Sequence, residues 1–201
     1  MNAPVTLIDA GGANLGSVRY ALERLGAEVR MARDADEFAG CARAILPGVG
    51  AAPAAMALLQ ARGLVGALRA SNAPLLGICL GMQLLFDSSA EGDVACLGLL
   101  EGRVDRMAPA PGLRVPHMGW NSLQPLRPDP LLDGLADVDQ VYFVHGYAAP
   151  VTPDCIARAR HGRDFAAVVR RGCVFGMQFH PERSAGVGAR LLGNFLQESA
   201  P

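Results

Sequence analysis

Cys79 is the side chain in this sequence best placed to act as a nucleophile. It stands in Gly77-Ile78-Cys79-Leu80-Gly81. The two glycines reproduce the G-x-nucleophile-x-G elbow, in which a strand turns abruptly into a helix and missing side chains make room for a strained corner. A cysteine at such a helix N-terminus meets the positive end of the dipole and free backbone amides, which favour the reactive thiolate. The amide of Leu80, one residue further on, can face a developing oxyanion. A cysteine in an apolar segment is otherwise more often simply buried, and the flanking glycines are what set this one apart. A thiolate that attacks a carbonyl needs a proton shuttle, and Gly176-Met177-Gln178-Phe179-His180-Pro181-Glu182-Arg183 offers one. His180 and Glu182 are two residues apart, so in an extended segment they project to the same side. Glu182 would then orient the imidazole while His180 exchanges protons with Cys79. Pro181 places the pair just beyond a strand end rather than within a sheet. Alone, His-Pro-Glu reads as a turn; beside the elbow it completes a Cys79, His180, Glu182 triad.

The rest of the chain supplies the elements that would hold these groups. Leu75 to Ile78 is a short apolar run after Pro74, as in a buried parallel strand, and Leu80 to Phe86 is rich in helix formers. Upstream, Val5 to Ala10 reads as a strand, followed by a Gly-rich turn and a helix with Leu15, Val18, Leu22 and Leu25 on one face, closed by Gly26. Gly11, Gly12 and Gly16 match neither dinucleotide nor P-loop spacing. Glu28 to Ala32 and Ala44 to Leu46 read as further strands. The latter leads into Pro47-Gly48-Val49-Gly50 and a long helix from Ala51 to Ala70. Glycines at a strand's carboxyl end sit where open α/β sheets bind ligands, so Gly48, Val49 and Gly50 either supply a second oxyanion amide or hold substrate, or form an ordinary turn. This βαβ series predicts an α/β fold: an open, mostly parallel sheet flanked by helices, with right-handed crossovers.

From Val94 to Leu126 the texture changes to short apolar runs broken by Gly and Pro, which predicts antiparallel strands and loops. Within it lies Pro116-His117-Met118-Gly119-Trp120-Asn121, with the only tryptophan either at a buried corner or in an exposed docking loop. Pro130 to Leu135 is a short helix candidate, and Gln140 to Tyr147 a strong strand. Cys155 to Arg160, Phe165 to Arg170 and Cys173 to Phe179 are further strands, the last delivering His180. Val187, Leu191, Leu192, Phe195 and Leu196 mark a closing helix.

Length and composition bound the function classes. The 201 residues are expected to form one domain with a substantial core. A net charge of −1 with 18% charged residues leaves no footprint for nucleic acid or an anionic membrane surface. The N-terminus lacks a signal peptide's pattern and no apolar run would cross a bilayer, so the expected location is cytoplasmic. Five irregularly spaced cysteines without a CxxC pair fit a reducing compartment. The four histidines show no metal-ligand spacing, so neither metal nor cofactor is expected.

With the elbow, the Pro-Gly-Val-Gly turn and the His-Pro-Glu triplet in hand, the chain resembles class I glutamine amidotransferases from Asp9 to Leu196. Within that class, Pro116 to Asn121, Tyr142-Phe143-Val144-His145, and Asp9 with Asn14-Leu15 resemble the glutaminase subunits of imidazole glycerol phosphate synthase. The resemblance implies a flavodoxin-like sheet and hydrolysis of glutamine through a glutamyl thioester on Cys79. His180 would protonate the departing ammonia and then activate water, with Glu182 orienting it. It further implies an oxyanion site from Leu80 and the Gly48-Val49-Gly50 backbone, with Gln83 and Gly50 binding glutamine. The ammonia would pass to a (β/α)8-barrel cyclase subunit in a heterodimer, which makes imidazole glycerol phosphate and aminoimidazole carboxamide ribotide for histidine biosynthesis. Met118, Gly119, Trp120 and Asn121 would form a loop near that partner. Ala10 and Gly12 stand where many relatives carry Tyr and Met, and Gly146 replaces a common Ser or Thr. The alternatives are the glutaminase of another class I amidotransferase, a cysteine hydrolase on the same scaffold, or a non-catalytic scaffold.

Overall fold

The computed structural model describes residues 4–11, 15–110 and 112–199; Gly12 and Asn14, two positions in the resemblance, lie outside them. The chain opens with β1 (Val5–Ile8), α1 (Leu15–Arg24), β2 (Val29–Ala32), α2 (Ala35–Phe38) and β3 (Ala44–Gly48). Next come α3 (Ala52–Ala61), α4 (Leu64–Ala70), β4 (Leu75–Cys79) and α5 (Leu80–Gln83). The middle section holds β5 (Ser88–Ser89), β6 (Val94–Ala95), β7 (Arg103–Arg106), β8 (His117–Ser122), β9 (Gln124–Pro125), β10 (Gln140–His145) and β11 (Tyr147–Ala148). β12 (Cys155–His161), β13 (Arg163–Arg171), β14 (Val174–Met177) and α6 (Ala185–Gln197) close the chain.

An eight-stranded sheet runs in the order β2-β1-β3-β4-β14-β13-β12-β9. Its first five strands pair in parallel, and the remaining pairings are antiparallel. The expected open, mostly parallel sheet with an antiparallel section is therefore what the chain builds. Smaller sheets pair β10 with β8 and order β11-β7-β5-β6. Alternation along each strand sends side chains to two separate cores. Leu7, Ile45 and Phe175 pack with Val18 and Leu22 of α1 and Leu191 and Phe195 of α6. Ile8, Leu46 and Leu75 pack on the other face with Leu59 of α3 and Leu64 and Leu68 of α4. Helices on both faces are what a parallel sheet requires, because neither face can be left to water.

Three expectations are corrected in detail. The helix expected from Ala51 to Ala70 is two helices, because Gly63 takes the left-handed conformation at φ +68° and stops α3. The helix expected to run from Leu80 to Phe86 is regular only to Gln83 and continues as a turn. The segment expected as a loop, Met118 to Asn121, is the body of strand β8, paired antiparallel to β10 with Trp120 opposite Tyr142.

Candidate active site

β4 ends in Cys79 and the next residue opens α5, so the elbow is where the sequence places it. Cys79 sits at φ 54° and ψ −111°, a conformation that L residues avoid at a cost of about 1–3 kcal/mol. The surrounding glycines explain why the chain holds it. A Cβ on Gly77 would lie 2.6 Å from the Gly81 carbonyl oxygen, and one on Gly81 would fall on the Leu46 carbonyl. One on Gly48 would lie 2.8 Å from the Gly81 nitrogen. Three backbone segments thus meet without side chains between them, and only glycine permits that approach. Gly176 of β14, which sequence reasoning did not single out, makes room for side chains instead: a Cβ there would lie 2.6 Å from Met82 Cγ and 2.8 Å from Val169 Cγ2.

His180 follows β14 and reaches the same cleft as Cys79. Its Nδ1 pairs with Glu182 Oε1 at 2.8 Å, and the Glu182 side chain is fully buried. The pair does not lie in one extended segment as the spacing suggested. His180 is extended, whereas Glu182 belongs to a 3-10 turn over Pro181–Arg183. A backbone clamp holds this turn against β10. The His180 N–H donates to the Tyr142 carbonyl, and the Ser184 hydroxyl accepts from the Tyr142 N–H while donating to the His180 carbonyl at 2.7 Å. Burial by itself would lower the His180 pKa. The Cys79 thiol and the Glu182 carboxylate outweigh that and push it up to about 10. His180 therefore carries its second proton at neutral pH, the form suited to partnering a thiolate and donating to a leaving amine.

The cleft itself has a volume of about 470 Å³. Val49, Gly50 and Leu80 line it, whereas Gly48 lies beneath α5 and is not among the lining residues. Gln83 lines it as well, with its amide nitrogen already engaged: Nε2 donates to the Tyr147 carbonyl at 2.9 Å and to Gln178 Oε1 at 3.1 Å. Only its oxygen is left for a ligand. Glu91, which nothing in the local sequence marks, also faces the cleft, and its Oε2 accepts the Ala52 N–H at the start of α3. His145, Gly146 and Tyr147 form the opposing wall.

The residues expected at a partner surface separate by strand alternation. Met118 is 63% exposed and Trp120 51% exposed, and the indole meets the Tyr142 ring edge-on at 6.0 Å. The Arg183 guanidinium covers that ring at 5.2 Å. Gly119 lies between them at φ +128°. Asn121 is turned to the inner face, where its amide nitrogen reaches the Arg160 carbonyl at 2.9 Å. Among the described residues no group of three or more His, Cys, Asp or Glu is arranged to hold a metal ion, and no helix is long and apolar enough to cross a membrane.

A nucleophile elbow on a mostly parallel sheet with a histidine–glutamate pair beside it defines the class. The chain belongs to the class-I glutamine amidotransferases, whose family model matches residues 6–199. Within that class it groups with the HisH subunits of imidazole glycerol phosphate synthase. It is 64% identical over 197 residues to the one from Xanthomonas euvesicatoria pv. vesicatoria and 60% identical over 196 residues to that of Xylella fastidiosa strain Temecula1. Each alignment covers 98% of both chains. In fold it is similar to a crystal structure of a glutamine amidotransferase (24% identity, TM-score 0.76, covering 96% of this chain and 97% of the other). It is also similar to the PurLQS structure from Thermotoga maritima (21% identity, TM-score 0.72, covering 98% of both chains).

Proposed function

We propose that this chain is the glutaminase subunit of an imidazole glycerol phosphate synthase, releasing ammonia from glutamine and delivering it to a cyclase subunit. The observation that carries the chemistry is the strained Cys79 corner sharing one cleft with the His180–Glu182 pair. Cys79 Sγ attacks the side-chain amide carbon of glutamine, and the carbonyl π electrons move onto oxygen. The Leu80 amide, together with the backbone of Val49 and Gly50, stabilises that oxyanion; Gly48 supports it from beneath. With Nδ1 held by Glu182, His180 has Nε2 to give its proton to the amide nitrogen as the C–N bond breaks. Ammonia leaves and a glutamyl thioester remains. Water then attacks the thioester carbon, its proton passes to His180, and collapse breaks the C–S bond to release glutamate. Glu91 and the Gln83 oxygen suit the substrate's α-ammonium. That acid favours a free amino acid over an internal peptide bond, which has no ammonium to offer.

The partner reading rests on the exposed Met118 and Trp120 of β8, with Gly119 between them and Asn121 securing the strand from within. A half-exposed tryptophan set edge-on against a tyrosine that an arginine covers is the kind of anchor that protein interfaces bury. The test is ammonia release from glutamine by the chain alone, with a (β/α)8 cyclase subunit, and with that subunit plus its ribulosyl substrate. Strong release in the last mixture, abolished by Cys79→Ala, is expected. Release that survives Cys79→Ala rules out the thioester route, and release indifferent to the cyclase rules out the coupled one.

A further inference from the structure

Through the cleft wall, hydrogen bonds connect strand β8 to the Cys79 thiol. Two backbone groups fix the direction of every bond. The Tyr147 carbonyl can only accept, and it takes His145 Nδ1 at 2.8 Å and Gln83 Nε2 at 2.9 Å. His145 therefore carries its proton on Nδ1, and in its neutral form its Nε2 is bare. His117 Nδ1 lies 3.1 Å from that bare nitrogen and must donate to it. This leaves His117 Nε2 as an acceptor, facing Asn121 Nδ2 at 3.4 Å. At the far end the Ser122 N–H donates to Asn121 Oδ1 at 2.9 Å, which independently puts the amide nitrogen on the histidine side. In the other direction Gln83 Nε2 donates to Gln178 Oε1, so Gln178 must turn Nε2 toward Cys79 Sγ, 3.9 Å away. Gln178 is fully buried and both histidines nearly so, and a buried polar network is kept only where its members satisfy one another.

We propose that His117 and His145 form a tautomer-locked positioning pair that, through the Tyr147 carbonyl, Gln83 and Gln178, holds an amide N–H toward the Cys79 sulfur. This rests on Cys79 being the nucleophile. The pair touches no reacting atom; it holds in place the Tyr147 carbonyl, the acceptor that turns Gln83 Nε2, and through it Gln178, the right way round. Reversing the Gln83 or Gln178 amide would aim an oxygen lone pair at the thiolate in place of a hydrogen. The rings are also packed for rigidity: His117 stacks on Phe143 with centroids 4.9 Å apart and on His161 at 4.1 Å. Shape and hydrogen bonding can thus be separated by substitution, since Phe keeps the stack and loses the donor, whereas Asn returns a donor near the Nδ1 position.

The experiment uses the full chain assembled with its cyclase subunit. His117→Phe is expected to lower kcat for glutamine by about tenfold, the scale of one lost buried hydrogen bond, and His117→Asn to recover most of that loss. In wild-type protein, nitrogen NMR at neutral pH is expected to show His117 and His145 both protonated on Nδ1 and bare on Nε2. Gln178→Leu, which acts at the other end, is expected to give a comparable loss in kcat and serves if His117→Phe does not fold. The proposal is overturned by an Nε2 proton on either histidine, by His117→Asn being as impaired as His117→Phe, or by His117→Phe or a folded Gln178→Leu retaining full kcat. Cys79→Ala is measured alongside: turnover that survives it refutes the nucleophile assignment itself rather than the positioning pair.

Discussion

Replacing Glu182 by glutamine keeps the size of the side chain beside His180 and removes its charge. The elevation of His180 from 6.5 to about 10 sets the scale of the effect. At about 1.36 kcal/mol per unit, the folded state binds this proton more tightly than the unfolded chain by roughly 5 kcal/mol, after burial has opposed it. Because the folded value is the higher one, that stability is fully present below about pH 6.5 and is lost as pH rises toward 10. Cys79 and Glu182 both raise the value, so Glu182→Gln is expected to remove part of this stability, on the order of 2 kcal/mol. The assay is urea unfolding of both proteins at pH 6.5 and pH 9.5. Wild type should lose more stability than the variant between the two conditions, by about 2 kcal/mol, with titrations common to both cancelling in the comparison. Glutamine turnover by the cyclase complex should fall by about a hundredfold or more, since the imidazolium loses the carboxylate charge that stabilises it. Equal pH dependence in the two proteins, or undiminished turnover by the variant, would refute the coupling between Glu182 and His180.

Two further outcomes follow from the cleft and its wall. Glu91→Gln preserves an acceptor for the Ala52 N–H yet removes the charge, so KM for glutamine should rise about tenfold with kcat little changed; an unchanged KM would remove Glu91 from the ammonium site. Burial, reinforced by the neighbouring His161, lowers His117 to about 4. Burial lowers His145 to about 3, against the Tyr147 carbonyl and with His117, His161 and His180 adding to the drop. Both folded values lie below the unfolded one, so each group costs stability as pH falls below about 6.5, at up to about 1.4 kcal/mol per pH unit. Urea unfolding of wild type should therefore show a loss of a few kcal/mol between pH 7 and pH 5, and a flat profile over that range would contradict the neutral, buried pair.

The sequence carried the fold wherever a local pattern repeats a physical requirement. Leu75 to Ile78 is apolar because both faces of β4 are covered, and Gly77 and Gly81 bracket Cys79 because α5 folds directly back onto that strand. What the sequence left ambiguous has equally local causes. Gly63 and Gly66 look alike within an Ala- and Leu-rich run, yet Gly63 stops a helix in the left-handed conformation while Gly66 lies within one. His180 and Glu182 meet through a 3-10 turn, which a two-residue spacing cannot distinguish from an extended strand. Glu91 was illegible because its role is set by remote partners: the β5–β6 hairpin carries it to the start of α3 and the cleft mouth. Gln178 sits inside a readable motif, but its tie to Gln83, 95 positions away, exists only in three dimensions.

The peptide groups of Tyr142 place an unusual filter on how this surface can change over generations. Its N–H and carbonyl both belong to the clamp on the His180 turn, while its ring supports Trp120 and Arg183 on the outer face. Drift of the outer surface toward a different partner is therefore free to trade side chains but not to insert, delete or re-register residues in β10. Lineages that diverge in what they dock should vary in ring and charge at these positions while keeping the strand's length fixed.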